Sequence, residues 1–333
     1  MGAMKRGWAM LAAAFQGFDR WVREPVDPRP LGWFRAWFGV LCLVNIGLLW
    51  IDMPMWLGNA GVMPPAVQRV SFEGTSLTVF TLTGYDDVAI GMIRCLGVVG
   101  GLGLMLGICP RVSAGCTWLA TASYSWRNTG IVHGGDALIR IGSFFLIFAR
   151  SGAAFTLPRW LANRRRQGKP EPVDEAPDER VPAWPQRILQ LQVCLLYLAT
   201  GTWKMTGRTW REGSAVGVVL QLGEFQRFPI PEFLMTPAMS QAMTWGTLLF
   251  EFGFPVLVWF PRLRIPMLLA GLAFHAGLEW VLNVLLFQWV ITSYYLLFLD
   301  PRPRHQRPAG SPDHSPRTND RARRRDVPPP AGS

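Results

Sequence analysis

Apolar runs of roughly 16 to 22 residues recur along this chain, and no other feature constrains its fold as strongly. At 1.5 Å per helical residue, each run is near the length needed to cross a hydrocarbon core of about 30 Å. Half of the 333 residues are hydrophobic, only 17% are charged, and the mean hydropathy is +0.19. A water-soluble domain of this size does not usually have that composition. The expected fold is therefore all-α, a polytopic membrane bundle of about eight helices. The runs fall at about 32–51, 88–108, 111–127, 134–150, 186–204, 240–260, 264–283 and 284–299. The last two form nearly one block, but 36 residues in one helix would measure about 54 Å, so a turn near Asn283 is required.

The net charge of +11 suggests phosphate binding until its distribution is examined. Basic residues sit in the short connections and at the two ends, which is the pattern of an orientation signal. Placing the first loop outside leaves 24 of the 33 Lys and Arg residues in the cytoplasm, with Arg69, Arg127, Lys204, Arg208, Arg211 and Arg227 outside. Both termini are then cytoplasmic, and nucleic-acid binding is not expected.

The rest of the organisation follows from composition. Residues 1–27 read as a cytoplasmic interfacial segment, because the apolar stretch after Lys5 and Arg6 is short and broken by Gln16 and Gly17. Residues 28–300 form the transmembrane domain, with a Pro-rich charged linker at 159–185, and 301–333 form a disordered cytoplasmic tail. Myristoylation is excluded by Arg6, which stands where Ser or Thr is required. The five cysteines are single, with no CxxC and no Cys/His pair at metal spacing, so neither disulfides nor a metal site are expected. Gly97, Gly100, Gly101, Gly103 and Gly107 lie in one apolar run, and Gly103 with Gly107 makes the GxxxG pattern of close helix packing.

Ionisable residues inside spans cost a few kcal/mol each, so each needs a partner or a purpose. Arg35 lies one turn from a span end and can snorkel. Arg94 is deeper, about 9 Å below the outer end of its span. Asp136 with Arg140, and His275 with Glu279, are four apart and share a helix face. The first pair is expected to be structural. In the second, a carboxylate beside an imidazole would fix its tautomer. Glu251 is expected to be protonated unless Arg94 or Arg140 reaches it, and no chemistry is assigned to it. Lys204 closes its span in YLATGTWKMTGRTWREG, followed by a connection bearing Trp210 that can fold over it. A desolvated lysine so placed can act as a general base.

PLGWFRAWFGVL from Pro30, GNAGVMPP from Gly58, RNTGIVHGGDALIR from Arg127, LQLQVCLLYLATGTWKMTGRTWREG from Leu189 and FHAGLEWVLNVLLF from Phe274 occur in one order and spacing. Together they resemble the HTTM (horizontally transferred transmembrane) family over roughly 28–300. That family includes the membrane half of vitamin K-dependent gamma-carboxylase, where a lysine deprotonates a reduced quinone. The oxygenated quinone then removes a glutamate gamma-proton, and the carbanion attacks carbon dioxide.

The resemblance implies that Lys204 is that lysine, with Asn128, His133 and His275 as polar partners. Trp210, Asp136, Arg140, Glu279 and Arg94 would lie around the substrate. Two departures stand out. Thr129 follows Asn128 where the carboxylase has a histidine, with His133 a few positions later, and a disordered cytoplasmic tail is expected where the carboxylase has a large extramembrane region. The implied cofactor is a reduced quinone of the vitamin K or menaquinol kind, and the implied partners are membrane lipid and a secreted peptide. Carbon–carbon bond formation on a peptide glutamate is one expectation. The other is a non-catalytic factor for peptide maturation or export, like the membrane component of the sporulation-delaying toxin system. A transporter ranks third, since 32–150 and 186–299 show no internal similarity. The expected location is the bacterial plasma membrane.

Overall fold

The computed structural model describes residues 2–67, 78–84, 87–165, 180–284 and 286–299. The expected tail from 301 lies outside them, as does most of the linker. An exposed amphipathic helix, α1 (Gly2–Arg23), precedes the bundle, with Trp8, Met10, Phe15 and Phe18 uncovered. The long helices are α2 (Arg29–Leu49), α3 (Asp87–Leu106), α4 (Pro110–Arg127), α5 (Gly134–Phe148), a short α6 (Leu157–Arg165), α7 (Trp184–Thr206), α8 (Pro237–Leu257) and α9 (Pro261–Val281). A final element joins α10 (Phe287–Ser293) to the 3₁₀ turn Tyr294–Phe298. Among the described residues, β-structure is limited to the isolated bridges Val26 to Val181 and Gln226 to Leu282.

Local sequence explains most helix starts. A proline occupies the first turn of α2, α4, α7, α8 and α9, where its missing N–H costs nothing and its fixed φ is already helical. Gly107, at φ +70°, ends α3 in the left-handed conformation, and Ile108 N donates to Gly103 O at 2.9 Å. The second glycine of the GxxxG pattern is thus a helix stop. Gly97, Gly100, Gly101 and Gly103 do bring backbones together: a Cβ at Gly97 would lie 2.7 Å from Ile46, and one at Gly101 2.8 Å from Leu43. Gly100 and Gly103 meet Thr117 and Ser113 on α4 in the same way.

These registers make α2, α3 and α4 successively antiparallel, as are α7, α8 and α9. The last element returns through the middle. Phe287 packs on Gly134, Tyr294 donates from its hydroxyl to Leu138 O at 2.8 Å, and Gln186 and Gln190 both donate to Leu297 O at 2.7 Å. Eight of the residues in α10 and its 3₁₀ extension are buried.

The expected run boundaries agree with the helices within a few residues, apart from the last, whose helix is only seven residues long. Among the described residues, two helices are long and apolar enough by themselves to cross a membrane, α2 and α3. A third qualifies if α5 and Ser151–Arg165, bent by 71°, count together. α4, α7, α8 and α9 have 18 to 23 residues but are diluted by Ser, Thr, Gln, Pro or Trp. They still present large apolar side chains outward, among them Leu195, Leu249 and Leu269.

Arg35 departs from expectation. It does not snorkel: the residue is 0% exposed, and its guanidinium donates to the carbonyl oxygens of Leu104, Ser151 (3.1 Å) and Phe155 (2.6 Å). It ties the end of α3 and the turn after α5 to α2 through backbone carbonyls, Leu104 O accepting from Gly107 N as well.

Candidate functional site

At the opposite rim from Arg35, Lys204 on the last turn of α7 forms an ion pair with Glu251 of α8. Glycine makes this contact possible. A Cβ at Gly201, one turn before Lys204, would lie 3.3 Å from the Phe252 ring and 3.4 Å from Glu251 Cβ, so the two helices approach closely at that level. The Lys204 side chain is 25% exposed and that of Glu251 5%. Trp210, in the short helical turn Arg208–Arg211, covers the ammonium with its ring centroid 5.3 Å from Nζ, a cation–π geometry. Oε2 of Glu251 is buried without a hydrogen-bond partner among the described residues. The cation that reaches Glu251 is therefore Lys204, and neither Arg94 nor Arg140 does.

Seven residues before Lys204 on the same helix face, about 10 Å along the axis, Tyr197 begins a second polar group. Its hydroxyl lies 2.5 Å from His275 Nε2 and 2.5 Å from the Tyr295 hydroxyl, while His275 Nδ1 lies 2.5 Å from Gln288 Oε1. Gln288 Oε1 is only an acceptor, so Nδ1 carries the hydrogen and Nε2 accepts from Tyr197. The hydrogen-bond direction runs from Tyr295 through Tyr197 to His275. Phe250, Phe254 and Phe274 enclose these groups.

The expected His275–Glu279 pair does not form. Glu279 instead pairs with Arg227 and accepts from Trp289 Nε1 at 3.3 Å, and Gln288 takes over orientation of the imidazole. Arg227 comes from the 207–236 connection, which folds back and bonds to the end of α9: Arg227 N donates to Val281 O and Asn283 N to Phe225 O. A strap of chain thus runs from Lys204 across α8 to the rim above His275.

The expected Asp136–Arg140 pair is also absent among the described residues. Asp136 is 1% exposed; Oδ1 accepts from Tyr124 Oη (2.5 Å) and Asn45 Nδ2 (3.2 Å), and Oδ2 from His133 N (2.9 Å). Three donors from two other helices and a helix cap outcompete an arginine one turn away. His133 is the N-cap of α5, its Nδ1 accepting from Gly135 N at 3.0 Å. Asn128 caps the following turn and donates to Trp56 O at 3.0 Å. Arg94 donates to Trp50 O at 2.5 Å and lies over the Trp50 ring, closing the end of α2.

Of the residues singled out in the sequence, Lys204, Trp210 and His275 belong to the α7 face, whereas Asn128, His133, Asp136 and Arg94 serve helix ends and a separate buried network. Phe287 and Gln288 are adjacent in sequence and touch each group in turn: Phe287 lies against Gly134 and Gly135, Gln288 against His275. Tyr197, Tyr295 and Gln288 escaped the sequence reading, and Glu251 was singled out there without a role or its lysine partner. For Glu251 and Gln288 a signal existed, since each is an isolated polar residue in an apolar run. The tyrosines offered none.

No solved structure matches the chain. The HTTM domain model matches residues 23–302, and with its apolar helices the chain is a membrane protein of the HTTM family.

Proposed function

We propose that this protein is a membrane enzyme in which Lys204 acts as a general base on a lipid-soluble hydroxyl substrate, a reduced quinone of the menaquinol kind, at the outer face of the plasma membrane. The observation that carries the reading is the Lys204–Glu251 pair under Trp210, a partly open amine backed by a buried carboxyl. The residues fit such a substrate. Trp210 and Phe252 offer flat apolar surfaces, Lys204 a proton acceptor, and Glu251 Oε2 a buried polar atom in need of a partner. When bound, a quinol supplies a hydroxyl proton and reducing equivalents.

The chain's own residues bind, orient and move the proton. Lys204 takes it at Nζ, Trp210 excludes water above the amine, and Tyr197 and Tyr295 hold His275 in one tautomer below. The implied acceptor substrate is a glutamate of a secreted peptide. In this reading the chain crosses the bilayer eight times with both ends cytoplasmic, as the Lys and Arg distribution supports. The last crossing is a short one, about 20 Å over α10 and its 3₁₀ extension, shielded from lipid by its neighbours.

Incorporation of labelled bicarbonate into copurifying peptide, with reduced menaquinone supplied, tests the assignment. Lys204→Ala is expected to lose activity by about 100-fold or more. Full activity in that variant defeats it.

One observation favours a second reading, a non-catalytic factor for maturation or export of a secreted peptide: Lys204 already has its counter-charge, and Asn128 and His133 are committed to caps. On that reading Lys204→Ala is silent, substitutions at Trp210 and Arg211 are damaging, and the peptide copurifies with the protein.

A further inference from the structure

Glu251 is set 47 residues from Lys204 in sequence and yet supplies the only carboxylate that meets it among the described residues. Asp136, in its own buried network, has donors on both carboxylate oxygens. On Glu251 one oxygen meets Nζ and the other is buried and unbonded. The surroundings make a fixed charge pair costly and a shared proton natural. Gly201 lies against the Cβ of Glu251, the Glu251 side chain is 5% exposed, and the Trp210 ring lies over the amine.

We propose that Lys204 and Glu251 share one proton, so that Glu251 is a positioning residue that makes Lys204 available as a neutral amine. The exchange is ammonium plus carboxylate to amine plus carboxylic acid: one N–H bond breaks, one O–H bond forms, and the net charge of the pair is unchanged. The amine can then accept a proton from a substrate hydroxyl, leaving ammonium beside carboxylic acid. No proton has to escape to water first. The inference rests on Lys204 being the base, but the sharing itself can be measured in the protein without substrate.

The other titratable groups around the pair are occupied or distant along their helices. On α7 they are Tyr197 and Cys194; Tyr197 is hydrogen-bonded to His275 and Tyr295. On α9, His275 has both nitrogens engaged, and Glu279 is paired with Arg227. Arg208, in the turn that carries Trp210, is paired with Glu212, beside Arg211. From α5, Asp136 is satisfied by three donors and Arg140 lies one turn further along that helix. Glu232 stands in the 3₁₀ turn that packs on the start of α8.

The test is the rate at which Lys204 of the full chain, held in lipid nanodiscs, is acetylated by acetic anhydride across neutral pH, read by mass spectrometry. Only a neutral amine reacts. Solvent-exposed lysines gain about tenfold in rate per pH unit below their ordinary range. If the proton is shared, the native Lys204 rate is flat over that interval, because the internal exchange is independent of solvent protons. In Glu251→Gln the acceptor is gone and the tenfold-per-unit slope appears.

A native profile with the tenfold-per-unit slope of a free lysine model compound overturns the proposal, as does a Glu251→Gln profile parallel to the native one. Should Glu251→Gln fail to fold, the native profile against that model compound decides alone. Lys204→Ala activity stands apart from this measurement: an active Lys204→Ala with a flat native profile defeats the base assignment and not the shared proton.

Discussion

Between α2 and α4 glycines bring backbone against backbone; between α7 and α10 aromatic rings interlock, with Gly201 and Gly271 admitting single close contacts. Gly39 meets the backbone of Met105, and Gly97, Gly100, Gly101 and Gly103 extend that seam along α3. On the other side Tyr197, Phe250, Phe254, Phe274 and Tyr295 interlock, with ring centroids 4.8 to 5.6 Å apart. The polar groups differ in parallel. Asp136 uses both oxygens, whereas Glu251 and Glu279 each keep one buried and unbonded among the described residues. Both halves keep buried side-chain atoms unbonded among the described residues, Thr117 Oγ1 and Ser125 Oγ in the glycine half and the two carboxylate oxygens in the aromatic half. The difference lies in the buried carboxylates, since those of the aromatic half have an oxygen free to take a proton.

The sharpest way to break this comparison is at the glycine seam. Gly39→Val places a Cβ against the Met105 N–H and Gly101 O, neither of which can move without moving a helix. A loss of about 3 kcal/mol or more is expected, seen as little or no monodisperse protein on size exclusion in detergent. Equal yields of variant and native protein would show that the seam is not rigid.

A pair of near-isosteric changes then sharpens the polar side. Asp136→Asn removes the charge that three donors share and is expected to cost about 2 kcal/mol in thermal unfolding, with activity per folded molecule intact. Glu251→Gln is expected to do the reverse, changing the proton behaviour of Lys204 with little loss of stability. If both variants simply melt earlier by the same amount, the two networks do not differ in kind.

The smallest effect comes from a glycine on the aromatic side. Gly246 in α8 has nothing within 4 Å of where a Cβ would sit. Gly246→Ala should therefore be neutral or gain up to about 1 kcal/mol from helix propensity, measured in the same unfolding assay.

Much of this was legible in the sequence, and the reasons for the rest are physical. Apolar periods locate helices because length and hydropathy are local properties, and Pro30, Pro110, Pro185, Pro237 and Pro261 mark starts for a local reason. Lys204 and Trp210 were legible because they lie six residues apart on one turn of chain. Partner choice is not local. Asp136 and Arg140 share a face, but Tyr124 and Asn45 arrive from other helices and win the carboxylate. His275 and Glu279 share a face, but Gln288 arrives after a reversal of the chain and takes the imidazole. Spacing along a helix says which groups can meet, and tertiary packing says which do.

Tyr294 bears on the order in which the molecule can be completed. Its ring packs at 5.0 Å from Phe34 and 6.4 Å from Phe38, and its hydroxyl closes on Leu138 O. The slot between α2 and α5 is therefore filled by one of the last described segments of the chain. At a synthesis rate of about 5–20 residues per second, on the order of ten seconds separate α5 from its plug. Through that interval the first helices sit in the membrane with an open seam facing lipid or another protein. A chain cut short before Phe287 would keep its glycine-packed half and carry an uncovered groove in place of a core.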